Sequence, residues 1–118
     1  MTIITTILTV LVAFEFFYIM YLETIATTSV KTSKTFNIKQ KNLEDKNLNT
    51  LLKNQGVYNG LIGVGLIYGL FFNQGIIAPI LVYIVSVATY GAITSDKKII
   101  LTQGGLAIFA LVLIFMGV

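Results

Sequence analysis

The chain has 118 residues, of which 56% are hydrophobic and 11% charged, and its mean hydropathy is +0.88, whereas a soluble domain carries roughly 25% charge. A soluble fold of this size has too little interior for so much apolar surface, but stretches of about 20 residues suit a hydrocarbon layer about 30 Å thick. Cysteine, histidine and arginine are all absent, which excludes disulfides, thiolate or imidazole metal sites, haem held by histidine and histidine-based triads.

The first apolar run, from Ile3 to about Ala26, is long enough to cross a bilayer despite Glu15 and Glu23. A cleaved signal peptide is the rival reading. No basic segment precedes the run, an acid interrupts it, and Glu23-Thr24-Ile25 is a poor lead into a small-residue cleavage site, so retention as a span is expected. Residues 27–50 then form the only sizeable polar stretch. Its apolar residues, among them Phe36, Ile38, Leu43 and Leu48, suit either a docking arm or a linker resting on the membrane interface, and the linker is the simpler reading.

A second helix is predicted to start near Asp45 and to enter the membrane at Leu51, ending at Phe72. Asn73-Gln74-Gly75 reads as a turn. The third span runs from Ile76 to Thr94, with Pro79 in the first turn where its missing N–H costs least. Ser95-Asp96-Lys97-Lys98 follows, and Ile99 to Val118 is the fourth span. The expected fold is therefore all-α: a single transmembrane domain forming an integral membrane four-helix bundle. Short connections make spans two, three and four antiparallel neighbours.

All eight lysines, and every formal charge except Glu15 and Glu23, lie in two windows, Lys31–Lys53 and Asp96–Lys98. The rule that basic loops stay inside places both windows in the cytoplasm and both the N and C termini outside. The lysines then face anionic lipid, a simpler account than a nucleic-acid footprint. The expected location is a bacterial cell membrane, with the lipid bilayer as partner and no nucleic acid.

Lipid supplies no hydrophobic drive for helix association, so small residues must let helices approach. Span two has Gly56, Gly60, Gly63, Gly65 and Gly69, a face for internal packing first and for a homo-oligomer second. Chemistry has to come from polar groups within the spans, which are costly there. The candidates are Glu15, Tyr18, Asn54, Gln55, Tyr58, Asn59, Tyr90 and Gln103. At about 1.5 Å per residue from the cytoplasmic ends, Glu15 lies roughly 16 Å deep, Asn59 roughly 13 Å, Tyr90 roughly 7 Å and Gln103 roughly 6 Å.

Gln55 with Asn59, and Asn54 with Tyr58, form adjacent stripes four residues apart, while Glu15 shares a face with Tyr18. The expectation is an inner-leaflet polar pocket with Glu15 at its floor, in which a neutral carboxyl can donate to an amide such as Asn59. A network in which these groups satisfy one another is the competing reading. Glu23, nearer the interface, is expected to pair with a loop lysine.

Glu15, the run Asn54-Gln55-Gly56-Val57-Tyr58-Asn59-Gly60, the segment Tyr90-Gly91-Ala92-Ile93-Thr94 and Gln103 together resemble the domain of unknown function 1304 family of small bacterial integral membrane proteins. The resemblance covers almost the whole chain, and the amide run is its most specific part. Where the family leads one to expect a Trp soon after the first-span acid, this chain has Phe and Tyr, and its first loop is unusually rich in Lys and Asn. The resemblance implies four spans and no established activity.

Composition and spacing favour a non-enzymatic membrane protein that binds a small polar or amphipathic ligand, or a lipid, or that stabilises the membrane. No catalytic residue, metal or cofactor is expected. Two alternatives stand beside it: a glutathione-dependent four-span enzyme, in which lysines would replace the usual arginines, and a structural or regulatory subunit of a membrane complex.

Overall fold

The computed structural model describes residues 1–117, so the predicted end of the fourth span at Val118 lies outside the described residues. The described residues are helical, with no strand among them: α1 spans Ile3–Thr24, α2 Val30–Phe36, α3 Lys46–Phe72, α4 Ile77–Thr94, α5 Ile99–Thr102 and α6 Gly105–Phe115. Short 3-10 turns lie at Gln40–Glu44 and Gln74–Ile76. The segments Ile3–Thr24, Lys46–Phe72 and Gln74–Thr94 are long and apolar enough to cross a membrane, while Gly105–Phe115 is shorter.

The helix ends follow from local chemistry. α3 begins at Lys46 because the Asp45 carboxylate accepts the backbone N–H of Leu48 at 3.0 Å, satisfying one of the orphan donors of a helix start. Ser29 does the same for α2, accepting from the N–H of Thr32 at 3.1 Å. Asn37 stops α2 in the left-handed conformation, φ 55°, which Asn adopts more readily than most residues.

The chain forms two compact units, residues 1–15 with 63–118 and residues 16–62. In the first, α4 packs against α5 and α6, and Ile77, Leu81, Ile84 and Ala88 make its buried stripe. The C-terminal half of α3 meets the start of α4 closely, since a Cβ on Gly69 would stand 2.9 Å from Ile77 Cγ1 and 3.0 Å from Ile76 Cγ1. The stretch read as one fourth span is divided here into α5 and α6. Its hinge is Gly104, where a Cβ would come within 2.8 Å of the Ile100 carbonyl oxygen and 3.2 Å of the Ala88 Cβ.

In the second unit the start of α3 lies against the end of α1. A Cβ on Gly56 would meet Thr24 Cγ2 at 2.5 Å and Glu23 Cβ at 3.0 Å, and one on Gly60 would collide with the Met20 sulfur. These two glycines therefore serve packing inside the unit. Residues 27–50, read as a linker, carry α2, a 3-10 turn and the start of α3, with Thr32 and Leu43 wholly buried.

Candidate functional site

α1 buries one continuous seam. Thr5, Thr9, Val12, Phe16, Ile19 and Glu23 follow one another at alternating steps of four and three, and each is 6% exposed or less. That spacing is the period of a packed helical stripe. Glu23 occupies a seam position and is wholly buried, whereas Glu15 lies beside the seam and is half-buried.

On α3 the matching position is Asn59. Its Nδ2 donates to Glu23 Oε1 at 2.6 Å, and the side chain of Gln55, one turn earlier, lies beside the same carboxyl group. The Gly56 contact described above is what lets the two backbones come close enough for this bond. Glu23 Oε2, by contrast, is buried with no hydrogen-bond partner. A buried polar atom in that state costs free energy unless a donor reaches it.

The backbone around the carboxyl is fully engaged. Thr24 Oγ1 donates to the Met20 carbonyl at 2.6 Å and Thr27 Oγ1 to the Glu23 carbonyl at 2.7 Å. Thr32 Oγ1 lies 3.1 Å from the Leu22 carbonyl and 2.7 Å from that of Ala26. Threonine hydroxyls thus bond carbonyls at the end of α1 and in the turn that follows it.

Of the residues the sequence nominates, the structure gathers Asn59 and Gln55 around Glu23, within the second unit. Asn54 and Tyr58 lie on the exposed side of α3, and Tyr18 is exposed on α1, stacked on Tyr21 with ring centroids 6.5 Å apart. Three others belong to the first unit. There Glu15 has a buried Oε1 without a partner, Tyr90 is exposed, and Gln103 is half-buried at the α5–α6 junction.

Glu23 corrects the sequence reading, which paired it with a loop lysine: its partner is an amide from α3. Depth counted from a helix end placed it near the interface, but depth says nothing about facing. The seam spacing was the signal that could have found it. Among the described residues no cluster of acids could hold a metal ion.

A protein of Lactococcus lactis subsp. lactis (strain IL1403), named only as the uncharacterized protein YpaA, is 61% identical to this chain over 115 residues, covering 95% of this chain and 97% of the relative. No solved structure matches the chain. Residues 10–115 match the model of a family described as protein of unknown function (DUF1304), a stretch that contains both Glu23 and Asn59, and the chain belongs to that family.

Proposed function

We propose that the chain is a multi-pass protein of the bacterial cell membrane that crosses the bilayer four times, both termini outside, and holds a small polar or amphipathic ligand at its cytoplasmic end. α5 and α6 together supply the fourth crossing. The ligand sits against Glu23, with Asn59 and Gln55 beside it.

One observation carries this reading. Glu23 Oε1 is bound by Asn59 while Oε2, equally buried, has no partner. In a membrane helix water is scarce, so an unmet acceptor is an expensive feature for a sequence to keep. The group that completes it donates to the carboxylate or, where Glu23 is neutral, accepts its O–H. Gln55, exposed on α3, lies beside the same carboxyl.

An experimental density map of the protein purified in mild detergent tests the reading. Non-protein density within hydrogen-bond distance of Glu23 Oε2 supports it. A side chain of the protein donating to Oε2 in that map removes it.

A further inference from the structure

The segment between α1 and α3 lies outside the Glu23 site and is folded. Thr32 ties α2 to the Leu22 carbonyl of α1 and to the Ala26 carbonyl in the turn that follows. Gln40 Nε2 donates to the Thr28 carbonyl at 3.0 Å, Ser33 Oγ to the Ile38 carbonyl at 2.5 Å, and Asn49 Nδ2 to the Leu43 carbonyl at 3.2 Å. Leu43 is wholly buried. The backbone that bears the lysines is therefore held in place.

Lys31, Lys34, Lys39, Lys41, Lys46 and Lys53 are all exposed. Against them stand Glu44 and Asp45, so residues 27–53 carry six positive and two negative charges, a net +4. The Asp45 carboxylate is directed to the N–H of Leu48, which draws its charge toward the start of α3. Beside the lysines, large apolar side chains are turned outward: Ile25 is 76% exposed, Val30 53% and Leu51 65%. Exposed apolar groups interspersed with lysines suit a surface that lies on lipid headgroups, with the apolar groups entering the acyl boundary.

We propose that residues 25–53 are a docking surface for anionic lipid headgroups of the cytoplasmic leaflet. The occupant is a phosphate-bearing lipid of net negative charge: its phosphate takes the lysine ammonium groups, and Ile25 and Val30 rest among the upper acyl carbons. Nucleic acid fits less well. The same window has no arginine and a single aromatic residue, Phe36, which is half-buried, whereas single-strand binding uses exposed aromatic platforms. The proposal rests on the orientation given above, with this segment inside.

The test reconstitutes the full chain in bilayers of equal parts phosphatidylglycerol and phosphatidylcholine, then measures by native mass spectrometry which lipid stays bound. The wild type is expected to retain phosphatidylglycerol preferentially. With Lys31, Lys34, Lys39 and Lys41 changed to Gln the preference should fall by more than roughly tenfold, and changing Lys97 and Lys98 to Gln should leave most of it. A Lys→Arg version of the four-residue variant, which keeps the charges, should restore it. Equal retention of the two lipids by the wild type overturns the proposal, as does a preference unchanged in the four-residue Gln variant. The measurement does not depend on which way the protein faces, so a wrong orientation shows itself separately, in labelling from the two sides of the membrane.

Discussion

Asn59 Nδ2 donates to Glu23 Oε1 at 2.6 Å, and this bond joins α1 to α3 at the only seam position of α1 that carries a formal charge. Removing the donor takes away the bond at Oε1. Asn59→Ala should therefore lower stability by about 1 kcal/mol, the usual scale for a hydrogen bond between membrane helices. Tyr58→Ala, at a side chain 70% exposed, should cost less. Thermal unfolding of the two variants in the same detergent checks the order.

The glycines give a contrast of sign. Gly56→Ala drives a Cβ against Thr24 and Glu23 and to 3.3 Å from the Met20 carbonyl oxygen, an overpacking that costs about 1–3 kcal/mol. Around Gly105 a Cβ finds nothing within 4 Å, so Gly105→Ala should stabilise by about 0.5 kcal/mol through the unfolded chain. Melting temperatures that move in the same direction for both variants would contradict this packing.

Thr32 holds the linking segment. Thr32→Val keeps the shape and removes the hydroxyl that serves the Leu22 carbonyl of α1 and the Ala26 carbonyl just beyond it. A loss of about 1–2 kcal/mol is expected, concentrated in residues 27–45. Hydrogen exchange should show that segment opening first, with α4 unchanged.

How much of this was legible in the sequence differs between elements. The start of α3 was legible, the sequence placing it near Asp45, and the structure uses the Asp45 carboxylate to accept the Leu48 N–H there. The family and the membrane character were legible too, the one in the run from Asn54 to Gly60 and the other in apolar length. α2 was not. It is seven residues long and depends on Thr32 reaching carbonyls six and ten residues away, contacts that no local period announces.

The candidate site was half legible. The stripe of Asn59 and Gln55 was legible and it flanks the Glu23 carboxyl, whereas the sequence reading put Glu15 at the floor of the pocket. Counting depth favoured the acid further from the helix end. Facing was the other signal, and the four-three spacing from Thr5 through Phe16 leads to Glu23.

Orientation is open to a direct check because the chain has no cysteine. Thr35→Cys and Gln74→Cys, made separately, place single thiols in the lysine segment and in the turn before α4. On intact cells an impermeant maleimide should modify position 74 and spare position 35, and position 35 should react once the membrane is broken. The reverse pattern would turn the chain over.

The central claim is that Glu23, rather than Glu15, is the acid that holds a ligand. Its most direct test is native mass spectrometry of wild type, Glu23→Gln and Glu15→Gln, purified in parallel, reading the mass of any small molecule retained. The account predicts an adduct on wild type and on Glu15→Gln that is lost from Glu23→Gln while the protein stays folded. An adduct that survives in Glu23→Gln and disappears in Glu15→Gln would contradict it.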